Sequence, residues 1–130
     1  MDTGSSAVAI VDLVLQYLDP KSVVDVGCGT GTFLQEFEKR GVATILGLDG
    51  PATKAAFGPD ESNFLAVNLA EPVELTRRFD LALCLEVAEH LPAGSADLLV
   101  ETLTDLAPVV LFSAAHPAQG GQGHINERWP

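Results

Sequence analysis

The run Val23-Val24-Asp25-Val26-Gly27-Cys28-Gly29-Thr30-Gly31-Thr32 constrains this chain more than any other stretch. Its β-branched start reads as a buried strand. Three glycines then alternate with small residues, and an apolar helical pattern opens at Phe33, Leu34 and Phe37. A strand, a tight turn and a helix start follow in that order. Glycine lacks Cβ, so it admits positive φ and lets a ligand lie against the backbone. The helix beyond presents unpaired N–H groups and the positive end of its dipole. An ordinary βα turn has the same pattern, so the rest of the chain must decide.

The flanking segments build an α/β pattern. From Ser6 to Leu18 apolar residues recur at three and four, the face of an amphipathic helix, and Asp19-Pro20 ends it. Strands are expected over Lys21–Val26, Val42–Leu48, Asn63–Val67, Phe79–Leu85 and Pro108–Phe112. Helices are expected from about Gly31 to Lys39, with Gly41 as C-cap, briefly over Ala52–Phe57, and over Ala93–Leu106. Glu71–Arg78 is a weakly helical connection, interrupted by Pro72 and Val73. Alternation with short connections predicts a Rossmann-like, doubly wound, mostly parallel sheet in three α/β/α layers.

At 130 residues the chain is one domain by size. Its net charge of -11 opposes nonspecific binding to a polyanion, and neither Lys39-Arg40 nor Arg77-Arg78 makes a patch, so no nucleic-acid partner is expected. The two cysteines sit in Gly-Cys-Gly and Leu-Cys-Leu, without a disulfide framework, so a reducing, cytoplasmic location is expected. No apolar run reaches the roughly 18 residues that would span a membrane, so no membrane partner is expected.

Several polar residues fall at the C-terminal ends of strands, where open parallel sheets receive ligands. Asp25 can accept N–H groups from the glycine turn or fix that turn for a ligand. Asp49-Gly50 ends the second strand, eighteen residues after Gly31. A carboxylate there can accept both vicinal hydroxyls of a ribose; the alternative is an N-cap for the helix that Pro51 opens. Glu86, Glu89 and His90 follow the fourth strand, while His116 and His124 lie in the Gly- and Ala-rich tail. The turn is neither a dinucleotide fingerprint, because its third glycine comes one residue early, nor a Walker loop, because no Gly-Lys-Ser or Gly-Lys-Thr is present. That disfavours a nicotinamide oxidoreductase and points to a ligand without pyrophosphate.

Asp25-Val26-Gly27-Cys28-Gly29-Thr30-Gly31, Asp49, and Glu86-Val87-Ala88-Glu89-His90-Leu91, in that order, resemble the class I S-adenosylmethionine-dependent methyltransferases over about Ser22 to Phe112. The resemblance implies that Gly27, Cys28, Gly29 and Gly31 pass under the methionyl and ribose parts of the cofactor. It places Asp25 at the cofactor's amino end and Asp49-Gly50 at its ribose. Asn68 stands where relatives place an acid for the adenine amine, with Leu69 beside it, and Leu85 and Glu86 line the methionine end. It implies methyl transfer to a small-molecule acceptor by in-line attack on the sulfonium methyl, with His90 and then His124 as site imidazoles. The alternative is a catalytically incomplete cofactor-binding or interaction protein with the same fold. Glu86-x-x-Glu89-His90 also resembles the metal cluster of small-RNA 2′-O-methyltransferases, but the string recurs in metal-free relatives and the charge opposes RNA, so no metal is expected.

The tail 120–129 resembles a stretch in bacterial methyltransferases of small or sugar-like molecules. The family's C-terminal antiparallel hairpin has no counterpart here, so the expectation is a single methyltransferase-like domain over 1–130, shortened at its C-terminal end. The fifth strand would then be an apolar edge, paired between chains in a homo-oligomer or covered by the tail.

Overall fold

Val23, Val24 and Val26 carry no exposed surface, and they form the middle of a sheet. In the computed structural model, which describes residues 3–85 and 96–113, β1 (Ser22–Val26) lies between β2 (Thr44–Asp49) and β4 (Leu81–Leu85). Beyond β2 lies β3 (Phe64–Ala66), and beyond β4 lies β5 (Val109–Ser113), giving the order β3-β2-β1-β4-β5 with every pair parallel. The chain works outward from β1 to β3, then returns across β1 to β4. That reversal opens a crevice at the C-terminal ends of β1 and β4, where open parallel sheets receive ligands.

Alternation along β1 sends successive side chains to opposite faces. Val23 packs with Ile45, Leu81 and Leu83 beneath α1 (Thr3–Tyr17) and α2 (Thr32–Lys39), which contribute Val11, Leu34 and Phe37. On the other face Val24, Val26, Leu48, Ala82 and Cys84 meet Leu99, Leu103 and Leu106 of α3 (Ala96–Leu106). Leu34, Phe37, Leu99 and Leu103 are almost wholly buried, each worth about 1.5–3 kcal/mol of transfer energy. The result is the expected three-layer α/β/α arrangement. The two helices of the first layer are also tied by charge. Arg40 reaches Asp12 of α1 at 2.7 Å and Glu36 at 2.6 Å.

The weak helix expected over Glu71–Arg78 does not form. Asn68 turns the chain by accepting the Ala70 N–H on its side-chain oxygen at 2.9 Å. Val73 and Leu75 then pack on the α3-side core, and the Arg77 guanidinium lies 4.7 Å from the centre of the Phe79 ring. Val73 is a weak helix former, and the half-buried Val73 and Leu75 reach the core along an irregular path instead. The short helix after β2 is a 3₁₀ segment, Pro51–Ala56, with no buried residue. Among the described residues β5 pairs only with β4; the tail expected to cover it lies outside them.

Candidate functional site

Beyond Val26 the chain makes three left-handed steps, at Gly27 (φ 82°), Gly29 (φ 55°) and Gly31 (φ 80°). L-residues with a Cβ are disfavoured there, which explains the spacing of the glycines. β2 holds the outer side of this turn. The N–H groups of Gly27 and Cys28 both donate to the Leu48 carbonyl, at 2.7 and 3.1 Å. The Gly29 N–H donates to Asp49 Oδ2 at 2.8 Å, and the Gly50 N–H donates to Asp49 Oδ1 at 2.7 Å.

A second brace comes from the segment after the 3₁₀ turn. The Gly58 N–H donates to the Thr30 carbonyl at 2.7 Å. A Cβ on Gly31 would fall 2.7 Å from Pro59 Cδ and 2.8 Å from Phe57 Cε1. Gly47, inside β2, meets the same ring and the Cys28 sulfur, both 2.7 Å from where its Cβ would stand. With its outer side held, the turn presents its inner side to a cavity of about 190 Å³. Asp25, Gly27, Cys28, Gly29, Thr30, Thr32, Phe33 and Leu85 line it.

Asp25 is 3% exposed, and burial, reinforced by the nearby Asp49 charge, pushes its carboxyl up to about 7. No described residue supplies it with a hydrogen bond. The expectation that Asp25 holds the glycine turn is therefore corrected: Asp49 holds it. Register gives the reason. Val26 pairs with Leu48 and Asp25 with Gly47, so Asp49 stands level with the turn while Asp25 lies two steps below it. The N-cap alternative for Asp49 is not what forms either. Gly50 occupies the N-cap of the 3₁₀ turn, with no side-chain cap. Burial, and after it the Asp25 charge, pushes the thiols of Cys28 and Cys84 up to about 12.

Of the residues singled out from sequence, Asp25, Gly27, Cys28, Gly29 and Leu85 meet at the cavity. Gly31 closes the turn, and Asp49 with Gly50 brackets it from β2. Asn68 and Leu69 lie beyond β3, reached from Asp49 through the Val67 N–H, which donates to the Asp49 carbonyl at 2.9 Å. Glu86, Glu89, His90, His116 and His124 lie outside the described residues. Sequence reasoning missed Thr30, Thr32 and Phe33 as cavity walls, and it missed the brace from Phe57 and Pro59. Gly47 was the available signal, since a glycine inside a strand marks close approach of another part of the chain.

Sheet order, turn and cavity together define a Rossmann-like α/β protein with its cavity at the C-terminal ends of β1 and β4. The methyltransferase-domain family matches residues 7–120, and the chain belongs to that family, the class I S-adenosylmethionine-dependent methyltransferases. Among curated proteins it is 37% identical over 86 residues to a ubiquinone biosynthesis O-methyltransferase of Pseudomonas fluorescens, covering 58% of this chain and 36% of that one. The chain thus spans about a third of the length of such relatives. DesVI of Streptomyces venezuelae superposes with a TM-score of 0.76 at 21% identity, over 94% of this chain and 55% of that one. SAM-bound CalS10 of Micromonospora echinaspora, an amino pentose methyltransferase, gives 0.73 at 22% identity, over 96% and 58%. Both likenesses concern the fold.

Proposed function

We propose that the cavity holds the methionyl part of S-adenosylmethionine and that the protein directs its methyl group to a small-molecule acceptor. The observation that carries this reading is the Asp49 carboxylate bound to the Gly29 N–H beside a cavity floored by Asp25. The residues present fit the cofactor. Where a Cβ would project from Gly29 nothing lies within 4 Å, which leaves the backbone open to a ligand. Each Asp49 oxygen spends one lone pair on a backbone N–H, so both retain acceptor capacity for ribose hydroxyls. Asn68 commits its amide oxygen to Ala70 and keeps one lone pair and its NH₂ group for adenine.

When bound, the sulfonium supplies a methyl group that is already electrophilic, so the protein's part is placement. The glycine turn fixes the ligand's position from below, and its two braces keep the turn from shifting. Leu85 and Phe33 line the cavity with apolar surface and would shield the methionyl end from water. Likeness to O-methyltransferases favours a hydroxyl acceptor, which needs a base; His90 and then His124 are proposed for that role. A second reading, cofactor binding without turnover by this stretch alone, is favoured by its spanning about a third of its relatives' length. Calorimetric titration with S-adenosylmethionine tests the first step. We expect saturable binding that Asp49→Ala weakens at least about tenfold, the loss of one charge-assisted hydrogen bond or more. No binding at millimolar cofactor overturns the reading. Binding without a methylated product in a metabolite extract selects the second.

A further inference from the structure

Asp25 is a buried acid without a described partner. Among the described residues its neighbours supply no cation. From β2 comes Asp49, itself an acid, with both oxygens committed to the N–H groups of Gly29 and Gly50. From the turn comes the Cys28 thiol, and from β4 comes the Cys84 thiol, beside the Leu83 that pairs with Asp25. α2 offers Thr32 and Phe33 at the cavity, while its Glu36 and Lys39 and its C-cap Arg40 bond one another and Asp12, and its Glu38 is exposed. A lone carboxylate in such surroundings is costly, yet the side chain faces a cavity large enough to admit a cationic group.

We propose that Asp25 exchanges a proton for the positive charge of the ligand: on the acid side of neutrality its carboxyl is protonated while the cavity is empty, and it releases that proton to solvent when the cationic methionyl end of the cofactor enters. This rests on the cofactor reading above. The balance is simple. A neutral acid and a cation give an ion pair and one free proton, so on the acid side of neutrality the cavity holds no uncompensated charge in either state. The raised titration of Asp25, near 7, agrees with the geometry. It also makes the linkage visible close to neutrality, where each proton displaced weakens apparent binding as pH falls.

Calorimetry at pH 6 and pH 8, in buffers of different ionisation enthalpy, counts the protons released on binding S-adenosylmethionine. A group titrating near 7 is about 0.9 protonated at pH 6 and about 0.1 at pH 8. Wild type is expected to release that much more than Asp25→Asn at each pH, which cancels any proton contributed by the ligand itself. Its affinity is expected to rise about tenfold more than that of the variant between the two values. Methylthioadenosine, which lacks the amino-acid end and the sulfonium, is expected to release none. Should Asp25→Asn fail to fold, carbon-detected titration of the wild-type carboxyls gives the same answer. One aspartate titrates near neutrality in the free protein and far lower with cofactor bound. Cofactor binding with equal proton counts in both proteins, or an ordinary titration of Asp25 in the free protein, overturns the inference and leaves the cofactor reading standing. No cofactor binding at all overturns both.

Discussion

Asp49 Oδ2 accepts the Gly29 N–H at 2.8 Å, which ties the end of β2 to the middle of the glycine turn. Because its other oxygen holds the Gly50 N–H, one side chain fixes two loops at once. In Asp49→Asn the carbonyl oxygen can serve only one of these loops, and the NH₂ group meets a donor at the other. Urea denaturation of the free protein is expected to show a loss of about 1–3 kcal/mol. Unchanged stability would mean that the turn holds its shape without this contact.

Gly31 and Gly41 separate backbone strain from crowding. Both have positive φ, at 80° and 94°. A Cβ at Gly41 meets nothing within 4 Å, whereas one at Gly31 runs into Phe57 and Pro59. Gly41→Ala is expected to cost about 1–2 kcal/mol, the strain alone. Gly31→Ala adds overpacking, for a total of roughly 2–4 kcal/mol, and is expected to weaken the proposed cofactor binding because the brace must move. Equal costs at the two positions would show that Phe57 and Pro59 yield freely.

Cys28 lines the cavity, yet burial and two neighbouring carboxylates push its thiol up to about 12. Cys84 is fully enclosed by the α3-side core. Thiolate is the reactive form, so neither residue is expected to react with Ellman's reagent at pH 8 within minutes in the native protein. Both of the chain's cysteines react once it is denatured. Fast native labelling of one thiol would contradict the enclosed geometry of the turn.

Strands were legible because Leu81–Leu85 is apolar on both faces and Val23–Val26 is apolar but for Asp25, the pattern of parallel strands between helix layers. The glycine spacing was legible because left-handed backbone leaves a local signature in sequence. Which acid holds the turn was not. It depends on the pairing of Val26 with Leu48, and register is a property of two strands, not one. The brace at Phe57 and Pro59 was hidden for the same reason. Its contact with Gly31 spans a loop whose path no local propensity dictates. Pro72 and Val73 showed that the connection 71–78 is a poor helix; only the core could show that Val73 and Leu75 pack against it without one.

The burial of Asp25 also sets how the free protein responds to acid. In the unfolded chain this carboxyl titrates near 3.8, and in the folded protein burial and Asp49 raise it to about 7. Between those values the native state holds a proton that the unfolded state has lost. Stability from this group is therefore fully present below about 3.8 and falls as pH rises, reaching its floor above about 7. The span corresponds to roughly 4 kcal/mol at about 1.4 kcal/mol per pH unit. Asp25→Asn removes the titration while keeping a side chain of similar size. Denaturation curves collected from pH 4 to pH 8 should show the variant gaining on wild type up to neutrality and running parallel beyond it. Glu36 acts in the opposite sense: its hydrogen bonds to Arg40 and Lys39 hold its carboxyl below the usual range, and that stability is lost at the acid end. It is common to both proteins and cancels in the difference. Curves that stay parallel across the whole range would place an unrecognised donor or cation beside Asp25.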